Sequence, residues 1–114
     1  MLVYAVIVFA VAALGGLIMA TSVLRGQLAP WALSLIHAGL GAAGLILVLI
    51  AVLGGASQNA TIALVILFVA ALGGFFLASF HLRAKPGPKP VVLIHASVAV
   101  IGFLLLAGTA FQLV

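Results

Sequence analysis

Two histidines are the residues of this 114-residue chain whose type and setting could do chemistry. His37 and His95 each stand in the tetrapeptide Leu-Ile-His-Ala, 58 residues apart, inside long apolar runs. Neutral imidazole is the commonest metal ligand, and an ionisable group placed in hydrocarbon carries a functional expectation because its position is costly. The likeness of the two settings extends well beyond four residues. Residues 1–56 lie on residues 59–114 without a gap, Ala12-Ala13-Leu14-Gly15-Gly16 matches Ala70-Ala71-Leu72-Gly73-Gly74, and 17 of the 56 pairs are identical. Self-similarity at one fixed period is the mark of a repeated supersecondary unit.

The elements that carry these residues follow from composition. The chain is 68% apolar, has four Lys or Arg and no Asp or Glu, so almost nothing in it can solvate a surface facing water. That makes it an integral membrane protein, and nucleic-acid binding is disfavoured because its four basic residues occupy short links at the membrane edge. A membrane helix needs about 20 mostly apolar residues. Four such runs appear, near 2–24, 30–53, 61–82 and 90–112, and with their links they form a single transmembrane domain over 1–114. The first run lacks a basic leader and exceeds the usual apolar length of a signal peptide, and its partner at 61–82 is internal. Cysteine is absent, which excludes disulfides, thiolate-ligated metals and covalent haem attachment. The runs show no strand alternation, so a porin-like barrel is excluded.

Charge orients the four runs. Arg25 lies in the first link and Arg83, Lys85 and Lys89 in the third, whereas the second link, Gly54 to Ala60, carries none. Positive residues mark the cytoplasmic side, which places both termini and the middle link outside, in a bacterial or archaeal plasma (inner) membrane. Two helices per repeat return the chain to its starting side, so the second and fourth runs point the same way and hold their histidines at one depth. Short links favour an up-down-up-down four-helix bundle, all-α and built from a tandem two-helix repeat, with those two runs diagonally opposed. His37 then faces His95. Pro30 and Pro90 stand near the starts of these runs, where a missing N–H costs nothing.

Residues four and seven positions on share a helical face. After His37 these are Gly41 and Gly44, and after His95 they are Ala99 and Gly102, so each imidazole heads a strip of small residues. Ala12, Gly16, Ala20 and their equivalents Ala70, Gly74, Ala78 make further narrow faces. Small faces serve close helix packing without any ligand, but packing alone gives no reason to repeat an imidazole beside them. Two imidazoles across a flat, glycine-lined space suit an iron porphyrin held at both axial positions. This arrangement is similar to the small four-helix transmembrane b-type cytochromes, in which histidines on different helices ligate one haem. The resemblance covers all four runs and implies one haem b per chain, with His37 and His95 as metal ligands and Gly41, Gly44, Ala99 and Gly102 beside it.

Arg25 and Arg83 are repeat equivalents, each twelve residues before its histidine, and guanidinium suits a carboxylate such as a haem propionate. Anionic lipid headgroups offer them the same countercharge. Ser34 is placed to hydrogen-bond near His37, though its equivalent is Val92. His81, matched by Val23, reads as an interfacial residue, and Trp31 and Tyr4 as interface anchors.

The resulting expectation is a single-electron carrier rather than a stand-alone enzyme, working in the bilayer with a quinone or a redox partner subunit. Bis-histidine ligation leaves no axial position for oxygen. Oligomers are compatible with it. Three other readings use the same residues: a structural or assembly subunit whose histidines make interhelical hydrogen bonds, a pigment-binding protein with each histidine on a separate magnesium, and a proton-coupled transporter. The last lacks the intramembrane carboxylate such transporters use.

Overall fold

A computed structural model describes residues 1–114 as four α-helices: α1 (Leu2–Leu24), α2 (Trp31–Leu53), α3 (Gln58–Leu82) and α4 (Lys89–Ala110). At 1.5 Å rise per residue each reaches about 33–38 Å, and a bilayer's hydrocarbon is about 30 Å thick. All four are long and apolar enough to cross a membrane. In α3 the helix starts three residues ahead of the apolar run, because Ser57 is extended and the polar Gln58 and Asn59 continue directly into the first turn. α4 stops two residues short of its run. Pro30 and Pro88, 58 residues apart, are the residues that precede α2 and α4, while Pro90 lies one position inside α4.

The helix ends are closed by backbone geometry, since no side chain caps any start. Just past each helix a residue turns left-handed: Gly26 (φ 74°), Gly55 (φ 95°), Ala84 (φ 55°) and Gln112 (φ 58°). The next N–H then reaches back to a carbonyl of the last turn, as in Gln27 to Ser22 (2.9 Å), Ala56 to Ala51 (3.0 Å), Lys85 to Phe80 (2.9 Å) and Leu113 to Gly108 (2.7 Å). Carbonyls that the helix itself leaves unpaired are thereby satisfied.

α1 packs on α2 and α4, α3 packs on α4 and α2, and neither α1 with α3 nor α2 with α4 brings Cα atoms within 8 Å. The helices thus form a ring with α2 and α4 diagonally opposed. Packing is heaviest within α1–α2 and within α3–α4. The start of α2 meets the end of α3, where Trp31 stacks on His81, and the start of α1 shares a groove with the ends of α2 and α4. The molecule measures 42 × 22 × 19 Å.

Only 13 of the 114 residues are buried, and none of them is polar. Ala5, Val6, Val48, Ala63, Leu67 and Leu106 form the core, all on one side of the histidine level: early in α1 and α3, late in α2 and α4. On the other side, toward the basic links, only Ala29 and Val92 are buried. Large apolar residues including Leu14, Leu72, Phe75 and Leu104 are more than half exposed around the outside. A continuous apolar girth of this kind is disfavoured in water and favoured against hydrocarbon.

Candidate functional site

His37 lies six residues into α2, roughly 9 Å along its axis from Trp31. His95 occupies the same position in α4, six residues after Lys89. Both rings turn into the bundle and are half-buried. Their centres are 6.3 Å apart and their planes cross at 82°. The diagonal pair expected from the 58-residue spacing is therefore brought together.

Each ring is tied to the helix before it. His37 Nδ1 lies 2.8 Å from the carbonyl oxygen of Ala12, and His95 Nδ1 lies 2.7 Å from that of Ala70. A carbonyl oxygen only accepts, so in each ring Nδ1 donates and carries the proton. A neutral imidazole in that tautomer keeps its lone pair on Nε2. The chain has no Asp or Glu side chain to pair an imidazolium. The remaining side-chain hydrogen bonds are local: Thr21, Ser22, Ser79, Ser97 and Thr109 bond back to carbonyls three or four residues earlier. The histidines alone make side-chain hydrogen bonds from one helix to another.

The identical stretch Ala-Ala-Leu-Gly-Gly explains how the rings reach those carbonyls. In a helix the carbonyl of residue i points along the axis toward residue i+4. A ring approaching the oxygen of Ala12 must therefore pass over Gly16, and one approaching Ala70 must pass over Gly74. A Cβ on Gly16 would lie 2.8 Å from His37 Cε1, and one on Gly74 would lie 3.2 Å from His95 Cε1. The first alanine of the stretch supplies the acceptor and its last glycine supplies the clearance. Sequence reasoning treated Gly16 and Gly74 as packing faces and did not assign the two carbonyls. The pointer was present in the matched pentapeptides, at a constant 25 residues before each histidine.

The other expected site residues divide. Gly41 has no atom within 4 Å of where its Cβ would stand, and Ala99 is half-buried on the face below His95. Gly44 and Gly102 do not border an open trough. Phe9 of α1 covers Gly44, with ring atoms 2.7–2.9 Å from a Cβ placed there, and Ile66 and Leu67 of α3 cover Gly102 at 2.9–3.0 Å. The small strip is filled by larger side chains of the neighbouring helix about two turns below the imidazoles.

Arg25 and Arg83 are exposed and cap the ends of α1 and α3. The Arg83 guanidinium lies 4.5 Å from the centre of the Phe80 ring, and its Nε–H donates to the Ser79 carbonyl at 3.1 Å. Ser34 is not the partner of His37, whose hydrogen bond goes to another helix. His81 stacks on Trp31 with ring centres 3.9 Å apart and planes within 16°.

The donor set can be tested against metal chemistry. An imidazole nitrogen sits roughly 2 Å from a first-row metal and about 1.1 Å from its own ring centre, so two imidazoles trans on one ion have centres roughly 6 Å apart. The observed separation is of that size, with the two rings meeting edge to face. No group of three or more His, Cys, Asp or Glu exists anywhere in the protein, so a bare tetrahedral ion would lack half its ligands. Two imidazoles alone would suit a group that brings further donors of its own. No protein family, no curated protein and no solved structure matches this chain.

Proposed function

We propose that the protein is a membrane-embedded b-type haem protein that carries single electrons, with His37 and His95 as its axial ligands. The observation that carries this reading is the pair of imidazoles 6.3 Å apart, each with Nδ1 held by a carbonyl. A hydrogen bond at Nδ1 fixes the ring and raises the basicity of Nε2, the arrangement commonly found behind metal-bound histidine. When bound, haem b held by His37 and His95 would supply one-electron transfer.

The chain's own residues divide the remaining tasks. Ala12 and Ala70 orient the ligands, Gly41 and Ala99 keep space beside them, and Phe9 on Gly44 with Leu67 on Gly102 closes the site toward the packed core. Arg25 and Arg83, at the ends of α1 and α3, offer cations for propionate carboxylates, which no acidic side chain competes for. We read the bundle as a tandem two-helix repeat in up-down-up-down order, with the basic links cytoplasmic. The Trp31–His81 stack and the groove shared by Met1, Gly54 and Ala110 support the alternating direction. A quinone or a partner redox subunit completes the electron path, because a site near one face does not cross the bilayer by itself.

One observation favours a second reading. The histidine hydrogen bonds join α1 to α2 and α3 to α4, which is the service they would give in a structural subunit with no cofactor. An absorption spectrum of the purified protein separates the two. A Soret band with sharp visible bands on reduction is expected, and a protein that stays colourless after haem is supplied overturns the haem reading.

A further inference from the structure

The basic end of the bundle is lopsided. Trp31, which begins α2, stacks on His81, two residues before Arg83, so the first and third links meet at the same end of the molecule. Of the four cations there, Arg25 ends α1, whereas Arg83, Lys85 and Lys89 fall within seven residues that join α3 to α4.

The repeat shows what the fold itself requires. Position for position, Lys85 and Lys89 correspond to Gln27 and Trp31 of the first half. The backbone is alike at both places. Lys85 N–H bonds the Phe80 carbonyl at 2.9 Å and Gln27 N–H bonds that of Ser22 at 2.9 Å, each following a residue with positive φ. Pro88 precedes α4 as Pro30 precedes α2. Neither lysine is therefore needed to close a helix or to start the next. Anionic headgroups border both hairpins, so they give no reason for the difference. A partner seated on one side does.

The third link also holds its charges in place. Pro86, Pro88 and Pro90 alternate through it, and Lys85 is tied to α3 through its backbone. The Cβ position of Gly87 lies 2.6 Å from Leu77 Cδ2, so the middle of the link rests against α3. Lys85 and Lys89 are exposed, no Asp or Glu in the chain can pair them, and the half-exposed Trp31 beside them is the kind of aromatic that anchors interfaces.

We propose that the third link, through Lys85 and Lys89 with Arg83 beside them, is the docking face for an acidic, water-soluble protein. A field of one sign steers an acidic partner to it, and cations on a stiff link bind without first losing chain entropy. Lys89 stands six residues before His95, roughly 9 Å along α4, so the partner sits over the imidazole pair. The surface stands on charge and placement; that its occupant exchanges electrons with the site rests on the haem reading.

The test uses the full chain in nanodiscs of neutral phosphatidylcholine, a labelled polyglutamate peptide as the acidic probe, and fluorescence anisotropy as the readout. Saturable binding that weakens as salt is added is expected. Lys85→Gln should weaken it roughly threefold and Lys85→Gln with Lys89→Gln about tenfold, the loss that one and two exposed charge contacts give. The decisive variant moves a charge without removing it: Gln27→Lys combined with Lys85→Gln keeps the net charge at +4 and should bind as weakly as Lys85→Gln alone. Recovery of the parental affinity would show that the peptide reads net charge only, and it overturns the proposal, as does an absence of binding. Lipid is separated by native mass spectrometry of protein taken from phosphatidylglycerol nanodiscs. Parent and double lysine variant should retain the same number of phosphatidylglycerol molecules, and loss of lipid from the variant assigns the lysines to headgroups and overturns the docking face. Failure of the haem reading appears separately, as the absence of a Soret band, and leaves each of these outcomes in force.

Discussion

The imidazoles of His37 and His95 meet across the diagonal of the bundle with ring centres 6.3 Å apart, although the backbones of α2 and α4, which carry them, come nowhere within 8 Å between Cα atoms. Each ring is delivered to the middle by the helix behind it, through the Ala12 and Ala70 carbonyls. Replacing either histidine by alanine should therefore remove one axial ligand and abolish the low-spin haem spectrum. His81→Ala should leave that spectrum intact, since His81 is engaged with Trp31. Loss of haem in His81→Ala alone would show that the ligand pair is wrongly assigned.

Gly44→Ala should destabilise the bundle by about 1–3 kcal/mol, the usual cost of overpacking, because its Cβ would lie 2.7 Å from the Phe9 ring. The second repeat holds Leu67 where the first holds Phe9. Adding Phe9→Leu to Gly44→Ala should accordingly recover stability in a thermal melt, and a double variant no better than Gly44→Ala would count against this contact as the cause. Gly41→Ala, which meets nothing within 4 Å, should not destabilise the bundle and should gain up to about 1 kcal/mol of helix propensity in the same melt.

Ala84 occupies a left-handed conformation, φ 55°, at the end of α3, where the equivalent position after α1 is Gly26 with φ 74°. A side chain in that region costs about 1–2 kcal/mol. Ala84→Gly should recover roughly 1 kcal/mol and Gly26→Ala should lose a similar amount. Equal melting temperatures for the parent and Ala84→Gly would show that the link relaxes.

Trp31 is the only tryptophan, so its emission reports the end of the bundle directly. Its ring stacks on His81 at 3.9 Å, joining the start of α2 to the end of α3. His81→Ala should raise the emission by removing a stacked quencher and should cost about 1 kcal/mol, the usual worth of such a pair. Unchanged fluorescence would mean that the rings are apart in the membrane.

Much of this protein was legible before its fold was known. Apolar runs of the right length locate four helices because a backbone in hydrocarbon has no other way to satisfy its own polar groups, and the recurrence of Leu-Ile-His-Ala places two imidazoles at matching positions in α2 and α4. The boundaries of α3 and α4 were less legible, since Gln58 and Gln112 are ordinary polar residues whose backbone conformations depend on the links around them.

Sequence alone determined the helices, their apolar exterior and the two histidines, because periodicity and hydropathy are local properties of the chain. Tertiary structure decided what surrounds them. Gly44 and Gly102 look like open space along α2 and α4, yet Phe9 and Leu67 fill it from α1 and α3. Gly16 and Gly74 look like packing faces, yet they are the clearance through which each imidazole reaches a carbonyl. A glycine in a sequence records only that a side chain is missing. What occupies the room it leaves is fixed by the neighbouring helix, and only the packed bundle reveals which neighbour that is.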